Sequence, residues 1–270
     1  MAGKKDSFGG RQGRRKTVNR VLLETRALRK AFGRVQVANA LDLTFEAGVI
    51  TSIIGPNGAG KSTLINMLSG LIQPDSGEIF FMGQQITRLP IHRRVKMGLC
   101  RSFQVVNVFP ELTAFDNIQI PVLAVLGRAG RLLIPLRGET IAREEANAIL
   151  SRVGLLHASE SRATALSHGD QRLLEIGIAL AARPKLLFLD EPTAGMNPVE
   201  RTKILDSIKR LSAEGKTTFV IVEHDMDVVF SLSDRIVVLH HGDIIADGTK
   251  EQIRESSKVR EVYLGDEVDE

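Results

Sequence analysis

The sequence predicts an α/β fold with a mainly parallel sheet, an antiparallel β edge and an inserted helical lobe. Two observations carry the sheet. Apolar runs of strand length, "VITSII" from Val49, "KLLFLDEP" and "TTFVIVEHD", are separated by helical stretches, and strands that alternate with helices pair in parallel. A third observation carries the lobe: from Thr113 to Ala165 the apolar spacing is mostly helical, interrupted by a loop around "GRAGRLLIPLRGE".

In chain order, the first segment is a basic tail. Lys4, Lys5, Arg11, Arg14, Arg15, Lys16 and Arg20 crowd the first twenty residues beside a lone Asp6. With Gly and Ser and almost no apolar content, residues 1–18 are expected to be disordered and 19–270 to form the folded unit. Such a tail attracts nucleic acid or anionic lipid in general terms, but a solvated tail without a specific partner is the simpler reading. "ALDLTFEAG" alternates Leu41, Leu43 and Phe45 with smaller or polar residues, the period of a half-buried strand and a candidate for the antiparallel edge. "VITSII" runs without pause into "GPNGAGKST" and then the helical "LINMLSG", ended by Gly70. "GEIFFMG" reads as a short strand. The helical lobe is placed at about 105–168, followed by a helix that "LSHGDQRLLEIG" leads to Ala182, the strand "KLLFLDEP", a helix from Pro198 and the strand "TTFVIVEHD".

Composition narrows the function classes. The chain has 270 residues, 43% of them apolar, enough to bury a full core. Its single cysteine, Cys100, allows no intrachain disulfide and no cysteine metal cluster, which fits a reducing compartment. No run of about 18 apolar residues occurs and the N-terminus lacks the apolar core of a signal peptide, so a soluble protein that stays where it is made is expected. Beyond the tail there is no interleaving of basic and aromatic residues, and no specific nucleic-acid partner is expected.

The chemistry concentrates in two motifs. "GPNGAGKST" fits Gly-x4-Gly-Lys-Ser/Thr through Gly55, Gly60, Lys61 and Ser62, between a strand and a helix as that motif requires. Gly55, Pro56, Asn57, Gly58, Ala59, Gly60, Lys61, Ser62 and Thr63 would then form a loop whose N–H groups face phosphate oxygens, with the helix N-terminus adding positive charge. Lys61 would neutralise the β- and γ-phosphates, and Ser62 would bind Mg2+. This makes the core that of a P-loop NTPase. "LLFLDEP" brings Asp190 and Glu191 to the carboxyl end of a buried strand, where one carboxylate suits the Mg2+ shell and the other suits a general base. A strand ending in Asp-Glu is commonplace by itself; the phosphate loop upstream gives it meaning. Ser167, His168 and Asp170 stand too close in sequence to point along one hydrogen-bonded line as a hydrolytic triad must. Gln104 in "RSFQ", His224 in "VEHD" and Phe32 in "RKAFG" are each uninformative alone.

Their order is informative. Phosphate loop, Gln104, "LSHGD", "LLFLDEP" and His224 follow one another as in the ATPase subunits of ATP-binding cassette (ABC) transporters, which the chain resembles over about residues 19–270. The resemblance implies the ABC ATPase fold, with ATP and Mg2+ as ligands and ATP hydrolysis coupled to transport. It implies metal contacts from Ser62, Gln104 and Asp190, catalytic roles for Glu191 and His224, and adenine stacking by Phe32. Ser167, His168 and Gly169 would meet the γ-phosphate of an ATP held by a second ATPase subunit, itself or a paralogue. The chain departs from the family pattern at His168 (glycine there), Asp170 (glutamine), Asn197 (often aspartate) and Phe32 (commonly tyrosine). "RSFQ", "AGMNP", "EHDM" and "VREVYLGDE" resemble the branched-chain amino acid importers and the related urea and amide importers, and the tail also resembles the lipopolysaccharide-export ATPase. Integral membrane permease subunits, an extracytoplasmic solute-binding protein and a peripheral place on the cytoplasmic side of the membrane follow from that resemblance. The rival is a soluble ABC ATPase or another P-loop enzyme. A single phosphate loop, and a spacing from Lys61 to Ser167 too short for coiled-coil arms, weigh against it.

Overall fold

The computed structural model describes residues 20–102, 108–128 and 140–265. The expected disordered tail, the loop around "GRAGRLLIPLRGE" and Gln104 lie outside them.

Five strands run parallel: β3 (Thr51–Ile54), β6 (Leu99–Arg101), β7 (Leu186–Asp190), β8 (Thr218–Val222) and β9 (Arg235–His240). With antiparallel β10 (Asp243–Gly248) they form a six-stranded sheet in the order β10-β9-β3-β8-β7-β6. Every residue of β3, β7 and β8 is buried, as both faces of a parallel sheet demand. Along β7 and β8 the faces alternate. Leu187, Leu189, Phe219 and Ile221 pack toward the lobe helices, and Phe188, Val220 and Val222 toward the second sheet.

That second sheet is antiparallel, in the order β2-β1-β4-β5, from β1 (Val21–Phe32), β2 (Val35–Glu46), β4 (Ser76–Phe81) and β5 (Gln84–Gln85). The expected edge at Leu41–Phe45 is part of a twelve-residue β2, paired to an equally long β1. Helix α1 (Lys61–Ser69) shares the core between the sheets through Leu64, Ile65, Met67 and Leu68, and it ends at Gly70 in a left-handed turn.

In the lobe, α3 (Ala114–Val125) and α4 (Thr140–Val153) pack on each other and on α5 (His168–Ala181). Gly177 makes this contact possible: a Cβ there would stand 2.8 Å from Ile118 Cδ1. The helical period expected up to Ala165 breaks into two short 3-10 turns, Leu156–Ala158 and Ala163–Ala165. Helix α6 (Pro198–Ala213) begins at the expected proline, and α7 (Met226–Leu232), α8 (Lys250–Glu255) and α9 (Ser257–Gly265) are the helices that follow it among the described residues.

One buried cation braces α1 at the end away from the phosphate loop. Arg94, on α2 (Ile91–Met97), has no solvent exposure. It donates to the carbonyls of Met67 and Leu68 (2.8 Å each), Leu89 (2.9 Å) and Thr87 (2.9 Å). Burial pushes its pKa down to about 10, while the carbonyl end of α1 is where a cation is favoured. Arg94→Met keeps an unbranched stem but removes the guanidinium from these four carbonyls, of which Met67 O keeps a second donor, Gly70 N at 3.2 Å. It is expected to lower unfolding stability by about 3 kcal/mol or more, read as a fall in the urea midpoint at unchanged slope.

Candidate functional site

At the carboxyl edge of β3 the chain turns through residues 55–60 into α1. An open cleft of about 260 Å³ forms there, lined by Val37, Asn57, Gly58, Ala59, Gly60, Lys61, Ser62, Thr63, Asp190, Glu191 and Val222. The turn depends on Gly60, which sits at φ 103° and where a Cβ would lie 2.3 Å from the carbonyl oxygen of Val37. As the N-cap of α1, Gly60 brings no side-chain acceptor, and no acid stands in the first turn. The positive end of the helix is therefore uncompensated from within the helix, a setting that favours an anion. Lys61 Nζ donates to the carbonyls of Gly55 (2.6 Å) and Pro56 (3.0 Å). Burial lowers its pKa, opposed by the charges of Glu191 and Asp190.

The two adjacent carboxylates differ in surroundings. Asp190 closes β7 and is 5% exposed. Its Oδ2 accepts from Arg101 Nη2 at 2.7 Å, while Arg101 Nη1 reaches Asn66 Oδ1 on α1. Arg172 of α5, paired with Glu175, donates to the Asp190 carbonyl at 2.5 Å. Glu191 follows at φ 44°, a left-handed backbone unusual outside glycine, and its N–H donates to Val222 O at 2.9 Å. Its side chain is 25% exposed and meets His224 Nδ1 at 3.3 Å. Beneath them Glu223, 2% exposed, accepts from Thr193 Oγ1 at 2.7 Å.

Ser167, His168 and Gly169 open α5 and are not among the residues lining this cleft. Ser167 is the N-cap, its Oγ accepting from Asp170 N at 3.1 Å. Gly169 N donates to Glu200 Oε1 at 3.2 Å, and Glu200 Oε2 accepts from Asn197 Nδ2 at 2.9 Å. Asp170 is paired with Lys203, so its charge is compensated inside the same subunit. Asn197 caps α6, accepting from Val199 N and Glu200 N at 3.0 Å each. Phe32 ends β1, 50% exposed, with Lys30 Nζ 5.5 Å from its ring centre; it too is outside the cleft lining, where Val37 stands instead.

The structure thus brings together the phosphate loop, Asp190, Glu191 and His224, while Ser167 to Gly169 and Phe32 are not among the residues that line the cleft. Arg101, Arg172, Glu200 and Glu223 are the contributors that sequence reading missed. Each makes a contact across at least 18 residues, to Asp190 from Arg101 and Arg172, to Gly169 from Glu200 and to Thr193 from Glu223, that local sequence does not announce. The donor set suits Mg2+: Ser62 and Asp190 offer hard oxygens to one cleft, and among the described residues no group of three His, Cys, Asp or Glu could cage a metal alone. Magnesium is commonly held by one or two carboxylates with substrate phosphates completing its shell.

A family model described as "ABC transporter" matches residues 38–194, more than half the chain. The high-affinity branched-chain amino acid transport ATP-binding protein BraF of Pseudomonas aeruginosa is 40% identical over 254 residues, spanning 92% of this chain and 100% of that protein. The lipopolysaccharide export system ATP-binding protein LptB of Acidithiobacillus ferridurans is 35% identical over 246 residues, 91% of this chain and 98% of the relative. Among solved structures, the ADP conformation of MJ1267, an ATP-binding cassette of an ABC transporter, superposes with a TM-score of 0.79 at 32% identity, covering 91% of this chain and 99% of the other.

Lys61→Ala removes the phosphate loop's one cationic side chain while sparing the core. ATP affinity is expected to fall at least about tenfold with the thermal midpoint little changed, measured by titration with a fluorescent ATP analogue beside a melting curve.

Proposed function

The chain belongs to the ABC transporter family as an ATP-binding, ATP-hydrolysing subunit most like those of the branched-chain amino acid importers, and from that premise we propose how its cleft works. The carrying observation is that Lys61, Ser62, Asp190 and Glu191 line one cleft, with His224 3.3 Å from Glu191. The amides of Gly58, Ala59, Gly60 and Lys61 and the Lys61 ammonium bind the phosphates of ATP, favoured by the positive end of α1. Ser62 and Asp190, joined by Gln104, would hold Mg2+, which when bound offsets the phosphate charge. Asp190 suits that task because Arg101 fixes its carboxylate. Glu191 reaches the open side of the cleft and takes a proton from water as the water oxygen bonds to the γ-phosphorus and the bond to ADP breaks. His224, beside the Glu191 carboxylate, orients it and the attacking water.

Phe32 is assigned to the adenine at the rim of the cleft, and Ser167, His168 and Gly169 to the γ-phosphate of ATP in a second subunit, identical or paralogous. The basic tail at 1–18, the folded unit at 19–270 and a lobe near 105–168 are kept as the domain plan, with the lobe and the loop at Gln104 as the docking side for integral permease subunits. No helix among the described residues is long and apolar enough to cross a membrane; the likeness to transport ATP-binding proteins supports a peripheral place on the cytoplasmic side, against such subunits. The cargo class is branched-chain amino acids or a related small polar solute delivered by an extracytoplasmic binding protein. The 40% identity to BraF against 35% to LptB favours this over lipopolysaccharide export.

Glu191→Gln keeps size and reach but loses the base. Hydrolysis is expected to drop by roughly two to four orders of magnitude with ATP binding retained, whereas Asp190→Asn weakens Mg2+-dependent nucleotide binding as well as turnover. Steady-state rates beside equilibrium binding separate the two, and a Glu191→Gln protein that hydrolyses ATP normally defeats the assignment. Because Ser167 and Gly169 act on a neighbour's ATP, the rate per molecule of isolated subunit should rise with protein concentration as dimers form. Strict proportionality of total rate to concentration, in protein shown by ultracentrifugation to stay monomeric, contradicts the action in trans.

A further inference from the structure

We propose that Glu223 is a positioning residue for hydrolysis, its buried carboxylate joining the turn after Glu191 to the backbone of His224 and so setting their approach. The inference rests on the hydrolytic reading of the cleft.

Glu223 follows the last residue of β8 and is 2% exposed, where an ionisable side chain is costly unless every oxygen is used. Both oxygens are used. Oε1 accepts from Thr193 Oγ1 at 2.7 Å and Thr193 N at 3.4 Å, and Oε2 accepts from His224 N at 3.3 Å. One end therefore grips a residue two positions beyond Glu191, itself buried at 3% exposure, and the other grips the main chain of His224.

Both gripped segments need holding. The His224 side chain is 63% exposed, so little packing fixes it and its place follows from its backbone. Glu191 occupies a left-handed conformation, strained for a residue with a Cβ, which persists only where neighbours impose it. Its restraints are the Glu191 N to Val222 O bond at 2.9 Å and the turn closed by Ala194 N to Glu191 O at 3.2 Å. Thr193 lies inside that turn, so the Thr193–Glu223–His224 link closes a ring around the 3.3 Å contact of Glu191 and His224. Glu223 itself is not among the residues lining the cleft, so it offers no group to the nucleotide.

Glutamine is the discriminating replacement. Turned one way its NH2 group meets the His224 N–H and that grip is lost; turned the other way it meets the Thr193 N–H and the Thr193 hydroxyl must reverse from donor to acceptor. At nearly constant volume, neither orientation keeps the carboxylate's set of bonds. In the full-length chain, at a concentration that saturates the rate, Glu223→Gln is expected to lower kcat about 10- to 100-fold, with KM and ATP affinity within about twofold of wild type. Thr193→Val, which cuts the other end, should show the same split and decides the matter if the glutamine variant fails to fold. Combined with His224→Ala, Glu223→Gln should slow turnover by no more than about threefold further, because the geometry it protects is already gone. An unchanged kcat, a parallel loss of affinity, or a fully multiplicative double variant overturns the proposal. Glu191→Gln in the same assay keeps the two readings apart. Near-normal hydrolysis by that variant defeats the base assignment, whereas a Glu191-dependent enzyme indifferent to Glu223→Gln defeats this inference alone.

Discussion

Val222 stands opposite Ile53 on one side and Asp190 on the other, and the site depends on that double register. Because β3, β8 and β7 run parallel, their carboxyl ends reach the same edge together, one turning into the phosphate loop, one into Glu223 and His224, one into Glu191. The hydrogen bond from Glu191 N to Val222 O extends the ladder one residue past the strand. A slip of a single residue would exchange the faces of β7 or β8, burying Leu187 and Leu189 where Phe188 now meets Phe45 edge-on at 6.4 Å. Packing on two faces thereby fixes the relative height of the candidate catalytic groups. Turns alone would leave that height free.

Bringing carboxylates to so buried an edge requires cations from several elements. Arg101 comes from β6, at the border of the sheet, and ties Asp190 to Asn66 of α1. Arg172 comes from α5 and holds the Asp190 carbonyl. The metal-ligand candidate is thus connected to the phosphate-loop helix on one side and to the helix that begins with Ser167 on the other. One residue further along α1, Arg94 braces the carbonyls of Met67 and Leu68, so the last turn of this nine-residue helix is held by two arginines from outside it.

What was legible in the sequence was local. The phosphate loop, the strands "LLFLD" and "TFVIV", the Gly70 stop and the start of α6 each declare themselves within a dozen residues, through apolar runs or a glycine where only glycine fits. The long β1 was not legible, since "VLLETRALRKAF" lacks strict alternation and bends at register shifts near Leu28. Nor were β9 and β10 assigned, the latter only half buried along its length. Within the site, Glu223 and Thr193 lie 30 residues apart and Arg101 and Asp190 lie 89 apart; only folding makes these pairs visible.

Two departures from the family pattern, Asp170 and Asn197, acquire a physical account together. An aspartate at position 170 would place a bare negative charge beside a neighbour's triphosphate, but Lys203 of α6 pairs with it. Asparagine at position 197 serves α6 as a cap, with Glu200 completing the box. Glu200 then reaches across to Gly169, whose missing Cβ leaves room for the Glu200 side chain 3.0 Å away. The N-terminal ends of α5 and α6 therefore behave as one body, joined at Gly169–Glu200 and at Asp170–Lys203. Glu200 thus bonds at once to Gly169, beside Ser167, and to Asn197, in the turn that follows Glu191. The start of α5 and the candidate general base are in this way connected through a single side chain and six residues of main chain.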